Sequence, residues 1–275
     1  VSDDFYAMLD DNEGAMTNAD RMDVAVGRIL AEDIQRATEM VDKIDSYYKE
    51  QSYGSWRNNV VMISDDIDEA WERVLQETTE EIATNIEEER PFFNVVRIHT
   101  DAFQQESSSA GDRYPKVNEA IKDAIEVGAL MVNYFGHGGE DGLAKERIFD
   151  KFDAQEVNNI CKYNLFVTVT CEYTKFDDPG RDTAGEFTFW NTNGGAISLI
   201  TTTRQIFVNV GVFFNEVLDD YLFAFDSNEY TSIAEALRLT KASNSIAGNT
   251  QKRLVFFIGD PAMKLAVPQP NVRLT

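Results

Sequence analysis

Two residues in this chain have the types and surroundings that nucleophilic chemistry needs. His137 lies in "NYFGHGGEDG" (133–142), with a glycine on each side, where an apolar run stops. Cys171 lies in "NLFVTVTCEYT" (164–174), also where an apolar run stops. A thiol is a weak nucleophile until it is deprotonated. A nearby imidazole takes its proton and later hands a proton to the leaving amine. A carboxylate can orient that imidazole, and Asp65 and Asp66, directly after "VVMIS", are the candidates. The backbone amides of Gly138 and Cys171 suit an oxyanion hole. The glycines let the chain turn sharply and approach a ligand closely. Glu172 and the stretch "TTTRQI" (201–206), with Thr202, Thr203 and Arg204, are expected to wall the substrate site.

Taken singly, each feature has a plainer reading. A lone cysteine ending an apolar strand is usually a small buried hydrophobe, and "GHG" is usually a turn. Their joint position tips the balance. Zinc also uses histidine and cysteine, but no C-x-x-C or H-x-x-x-H spacing occurs. The other histidine and cysteine, His99 and Cys161, read as structural. The Glu-rich helix faces read as solvated surface.

The positioning elements follow from periodicity. "NNVVMISDD" (58–66), "FNVVRI" (93–98), "ALMVNYF" (129–135), "NLFVTVT" (164–170), "GAISLIT" (195–201) and "LVFFIG" (254–259) read as short apolar strands. Between them lie helical patterns. Ile34, Ala37, Val41, Ile44 and Tyr48 form one stripe; Trp71, Val74, Leu75, Ile82 and Ile86 form another, stopped by Pro91. Pro115 opens a third helix and Gly128 closes it. Helices are also predicted through "AGEFTFWN" and "VGVFFNEVLDDYLF" and after a Ser232/Glu235 capping box. Alternating strands and helices, with the strands continuously apolar, predict an α/β fold with a mostly parallel sheet flanked by helices. In such sheets functional groups gather beyond the strands' C-terminal ends. His137, Cys171, Asp65 and Asp66 all stand there.

Composition narrows the partners. The chain has 275 residues, with 25 Lys plus Arg against 48 Asp plus Glu, a net charge of −23. Phosphate backbones and anionic membrane surfaces would be repelled, so no nucleic-acid partner is expected. Two cysteines are too few for a disulfide framework, and no stretch approaches a membrane span.

"ALMVNYFGHGG" and "NLFVTVTCEYTKFDDPGRDTAGE" resemble the caspase-like cysteine peptidases, and more specifically the gingipain family. "SDDFYAMLDDNEG", "VAVGRIL", "GGAISLITTTRQI" and "FFIGDPAMKLAVP" extend the resemblance to about Pro268. Within the family the chain is most similar to the sortase-like members of the type IX secretion system. The resemblance implies a caspase-like fold with His137 and Cys171 as the dyad, and a secreted, outer-membrane-associated location at the cell surface. It implies a peptidase or transpeptidase acting on proteins that carry C-terminal sorting domains, a lipopolysaccharide amine as a possible acceptor, and other type IX secretion components as partners. The competing function is a non-catalytic scaffold that binds such partners; intact His137 and Cys171 argue against it. The expected organisation is part of an N-terminal gingipain-like subdomain over 1–55, a catalytic domain over 56–268 and the start of a linker over 269–275.

Gingipain relatives bind calcium, and "DDNEG" (10–14) and "KFDDPGRD" (175–182) supply oxygens for a hard cation. No cofactor is expected for the chemistry itself. Clustered carboxylates in a chain this acidic repel one another, and a bound cation relieves that repulsion. Calcium is therefore expected to raise the melting temperature. Equal melts in calcium and in chelator would reduce these stretches to solvated turns.

Overall fold

The apolar runs line up side by side as a six-stranded sheet. In this computed structural model, which describes residues 2–268 apart from 110, 226 and 228, the strands are β1 (Asn59–Ser64), β2 (Asn94–His99), β3 (Met131–Phe135), β4 (Asn164–Thr168), β5 (Ala196–Thr202) and β6 (Val255–Ile258). Their order is β6-β5-β4-β3-β1-β2. All neighbours are parallel except β5 and β6, which pair antiparallel. The expected linker over 269–275 lies outside the described residues.

Among the described residues seven α-helices flank the sheet: α1 (Ile34–Tyr47), α2 (Arg73–Glu89), α3 (Pro115–Val127), α4 (Lys151–Glu156), α5 (Ala184–Trp190), α6 (Val208–Leu222) and α7 (Ile233–Ala242). Strand alternation sorts them into two layers. Val60 and Met62 face one core with Ile82 and Ile86 of α2 and Phe214 and Leu218 of α6. Val61 and Ile63 face the other with Val117 and Ile121 of α3 and Phe189 of α5. Pro115 begins α3, and Gly128, at φ 108°, ends it as the sequence predicts.

The sequence misplaces the buried face of α1. Ile34, Val41 and Tyr48 are exposed, whereas Met40, Lys43 and Tyr47 are buried. The lysine is the reason: its Nζ donates to the carbonyls of Phe189 (2.9 Å) and Asn191 (2.8 Å), so a polar residue occupies the inner stripe. Burial pushes the Lys43 amine well down. Short antiparallel pieces also escape prediction, among them Gly138–Gly139, Gly142–Leu143 and Phe149–Asp150, because runs of two residues carry no periodicity.

Topology explains where the site lies. From β1 the chain moves outward to β2, then returns to β3 on the other side of β1 and continues through β4, β5 and β6. The order therefore reverses between β1 and β3, and a crevice opens above their C-terminal ends. The registers keep these ends level: Ser64 lies opposite Phe135, and Tyr134 opposite Thr168. His99, the last residue of β2, is structural here. Its Nδ1 meets Ser64 Oγ at 2.8 Å and its Nε2 meets Glu80 at 3.1 Å.

The segment before α1 packs onto the sheet's edge. Arg28 bridges Ile258 in parallel, with its amide donating to Phe257 and its carbonyl accepting from Gly259. Asp4 is buried between Lys241 (2.6 Å) and Arg253 (3.3 Å). Removing one member of a buried ion pair leaves uncompensated charge behind. Asp4→Ala is therefore expected to cost about 3–5 kcal/mol, read as a lower denaturation midpoint with unchanged slope. A loss below about 0.5 kcal/mol would show that this segment contributes little to the fold.

Candidate active site

The peptide unit joining Gly136 to His137 is held from both sides. Its N–H donates to Asp65 Oδ2, just past β1, at 2.6 Å. Its carbonyl accepts from Thr170 Oγ1, just past β4, at 2.6 Å. The His137 carbonyl accepts from Tyr134 Oη (2.6 Å) and from the Ala144 amide (2.8 Å). The backbone at the histidine is thus fully engaged before any ligand arrives.

The flanking glycines are needed for close approach to protein, not for a left-handed turn. A Cβ on Gly136 would collide with Asp65 and with the Tyr134 hydroxyl. One on Gly138 would lie 2.7 Å from both Cγ2 and Oγ1 of Thr170. Three strand tips meet here more tightly than side chains allow. Glu172, directly after the cysteine, takes φ 53°, a conformation that turns the chain away from β4 at some backbone cost.

The carboxylate on the imidazole is Glu72, a correction to the expected Asp65 or Asp66. Glu72 Oε1 lies 2.8 Å from His137 Nε2. Asp65 is already used by the backbone amide beneath the ring. Asp66 accepts from the Tyr114 hydroxyl at 3.1 Å. Glu72 is 2 % exposed, and its other oxygen accepts from the Glu69 amide at 2.6 Å, closing a capping box on the turn that leads into α2. Burial works against its charge, but the Glu69 amide and the imidazole outweigh that and hold the carboxyl below its ordinary value. The exposed Trp71 ring makes a T-shaped contact with the His137 ring, centroids 5.8 Å apart. The only signal in the sequence was Glu-x-x-Glu before an apolar stripe, which reads equally as a solvated helix start.

With Nε2 donating to Glu72, Nδ1 remains to accept a proton. His137 and Cys171 line one cavity of about 90 Å³ together with Leu75, Phe135, Val169, Ile206 and Phe207. Both cysteines are free thiols, and both are partly exposed. Cys161 precedes β4, in a turn at φ 62°, so it stands at the other end of the strand from Cys171. The bond from the Ala144 amide to the His137 carbonyl makes 137 and 144 a hydrogen-bonded pair of the small hairpin. The next pair, Gly138 and Leu143, is then a non-bonded one, and the Gly138 N–H points away from the hairpin.

The expected substrate residues divide. Glu172 lines a second, larger cleft of about 470 Å³ with His137, Gly138, Lys145, Arg147 and Arg181. Thr202 and Thr203 are corrections: both are buried, at 0 % and 1 % exposure. The Thr202 hydroxyl donates to the Thr170 carbonyl, which turns it inward as a strut under the cysteine's turn. Arg204 is tied to Asp177 by two bonds of 2.7 and 2.8 Å. From the same stretch it is Ile206 that walls the smaller cavity.

For calcium, "DDNEG" brings Asp10 and Glu13 together with Asp23, with ligand oxygens within 4.8 Å of one another. Among the described residues Glu13 Oε2 is buried without a protein partner, so this donor set fits a hard cation. In "KFDDPGRD", Asp177 already serves Arg204.

The sequence model of Peptidase family C25 matches residues 1–266. The chain belongs to that family. The structure is similar to the Arg specific cysteine proteinase gingipain R (RgpB), with a TM-score of 0.76 and 15% identity over 97% of this chain and 60% of that one. It is also similar to the complex of Porphyromonas gingivalis RgpB pro- and mature domains, with a TM-score of 0.75 and 14% identity over 97% and 61%. The chain thus spans about 60% of the length of these proteins. Among curated protein sequences no match is found. The shared fold is the caspase-like α/β architecture of the gingipains.

Asp65, Asp66 and Glu146 gather under His137 with their oxygens within 4.8 Å. Burial pushes the Asp65 carboxyl up to about 8, with Asp66 adding repulsion and the His137 amide opposing. Asp66 and Glu146 are pushed up too, again chiefly by burial. Folded Asp65 thus keeps its proton to about pH 8, whereas the unfolded chain releases it near about 3.9. Between those values the folded state binds more protons, so its stability is full below about pH 4 and is lost as pH rises towards 8. Asp65→Asn keeps an oxygen for the His137 amide and removes the titration. Its melting temperature should gain on the parent's steadily from pH 4 to 8; parallel curves would mean that folded Asp65 is already charged at acid pH.

Proposed function

We propose that the chain is a cysteine endopeptidase or transpeptidase in which Cys171 forms an acyl-enzyme. The observation that carries this is the shared cavity of His137 and Cys171, with the imidazole held from behind by the buried Glu72. In this reading His137 Nδ1 takes the proton from the Cys171 thiol, and the thiolate attacks the peptide carbonyl. The oxyanion that forms is met by the amides of Gly138 and Cys171. The imidazolium, stabilised by Glu72, gives its proton to the leaving amine, and a thioester remains. Water or a second amine then attacks the thioester and restores the thiol. Glu72 acts through the histidine and is a positioning residue.

The finer role rests on sequence resemblance to the sortase-like C-terminal signal peptidase PorU. On that basis the substrates are type IX-secreted proteins with C-terminal sorting domains, and the acceptor is water or a lipopolysaccharide amine. Other type IX secretion components are its partners, and it works at the outer-membrane surface. Calcium is proposed at Asp10, Glu13 and Asp23 as a stabiliser of the fold with no part in the chemistry.

A thiol-reactive peptide electrophile followed by intact mass tests the core of this reading. Cys171→Ala should abolish labelling and peptide cleavage without unfolding, and Cys161→Ala should keep both. Glu72→Gln should slow cleavage by about 10- to 10⁴-fold, the upper end being what a Ser-His-Asp triad loses without its carboxylate. Activity surviving in Cys171→Ala would overturn the assignment. Adding an amine acceptor and weighing the product separates transfer from hydrolysis.

A further inference from the structure

Two depressions meet at His137, and only the smaller has Cys171 in its wall. We infer that this pocket selects a small, uncharged residue (alanine, serine, threonine or valine) on the acyl side of the bond that is cut. The inference rests on the peptidase reading above and adds the class of substrate.

Position comes first. The attacked carbonyl must turn its oxygen towards the Gly138 amide, on the side of the larger cleft. The side chain one atom away then has the pocket bounded by Cys171 to enter.

Size comes second. The pocket measures about 90 Å³. An apolar cavity of about 150 Å³ takes benzene, so a branched aliphatic group fits here and an aromatic ring does not. Most walls cannot yield. Leu75 of α2 is 2 % exposed, and Gly211 of α6 packs so closely on the Phe135 ring that a Cβ would come within 2.7 Å of it. Close-packed interiors do not expand without strain. Phe207, 70 % exposed, is the wall that can move.

Charge comes third. Among the described residues, the only titratable side chains lining the pocket are His137 and the Cys171 thiol. The two carboxylates that touch the wall residue His137 are engaged: Glu72 is shared between the imidazole and the Glu69 amide, and Asp65 accepts from the His137 amide. An arginine or lysine entering here would bury its cation without a partner, and that penalty is several kcal/mol in general. An acidic side chain fares no better.

The test is a panel of peptidyl acyloxymethyl ketones differing only in that residue: Ala, Ser, Thr, Val, Phe, Asp, Lys and Arg. Each is reacted with the full chain, and Cys171 labelling rates are read by intact mass. The four small residues should react about tenfold faster or more than Phe, Asp, Lys and Arg, since one methylene too many is already worth about that much. Phe207→Ala, at an exposed position, should narrow the gap between Val and Phe. Fastest labelling by Arg, Lys, Asp or Phe, or a Phe207→Ala profile unchanged from the parent, would overturn this inference and leave the peptidase reading standing. If iodoacetamide alkylates Cys171 but no ketone does, the peptidase reading itself fails, and this inference with it.

Discussion

The Gly136–His137 peptide unit is the constraint on which the site depends. Its N–H is taken by Asp65 past β1 and its carbonyl by Thr170 past β4. One rigid plane is therefore fixed by the strands on either side of the one that carries it. This is possible only because β1, β3 and β4 are neighbours and end level. It also needs glycine on both sides of the histidine, since a Cβ at either position would push the tips apart. Thr170 immediately precedes Cys171, so the clamp that fixes the histidine's backbone also fixes where the thiol can stand. In the proposed mechanism, pre-set positions of this kind remove the entropy cost of assembling a nucleophile and its base at the moment of reaction.

Two carboxylates divide the work on His137, and their surroundings push them in opposite directions. Glu72 receives two donors, the imidazole and the Glu69 amide, and both favour its charged form. Asp65 also accepts from two donors, the backbone amides of His137 and Asp66, but it lies deep beside Asp66 and Glu146, and burial there outweighs them and favours the neutral form. In the proposed mechanism, a charged acid beside the ring suits an imidazole that becomes a cation. A largely neutral group beneath the backbone still accepts a hydrogen bond and adds little field. Environment, more than residue type, assigns the roles.

Much of the frame was legible in the sequence, because continuous apolar runs and helix punctuation are local signals. All six strands fall where the runs predicted them, and Pro115 and Gly128 bound α3 as read. His137 and Cys171 were legible because each ends such a run. Glu72 was not. Its burial comes from the capping turn folding back over His137, a contact across 65 residues that no local pattern encodes. The inner face of α1 was misread for a similar reason, because Lys43 is buried by two carbonyl oxygens distant in sequence. Thr202 and Thr203 stand at the expected strand end, but Thr201, Thr202 and Thr203 are all buried there. β5 lies between β4 and β6 with a core on each face, so neither side of its tip is open, and a polar run of threonines does not reveal that.

The larger cleft shows how an acidic chain can still present a locally balanced surface. Overall, acids outnumber bases 48 to 25. Around this cleft, Glu140, Asp141 and Glu172 are matched by Lys145, Arg147 and Arg181, three against three. The pairing is physical. Arg181 bonds Glu140 at 2.9 Å and Asp141 at 2.7 Å, and Lys175 bonds Glu140 at 2.6 Å. These ion pairs join the hairpin tip beyond His137 to the loop beyond Cys171, so the two halves of the site are tied together on the solvent side as they are by the Thr170 clamp within. Exposed pairs of this kind contribute little individually. Their effect here is local neutrality, because fields from the rest of the surface fade beyond roughly 8 Å at physiological salt. In the proposed function, a peptide backbone approaching the thiol meets a balanced surface, and discrimination between peptides falls to the uncharged pocket beside Cys171.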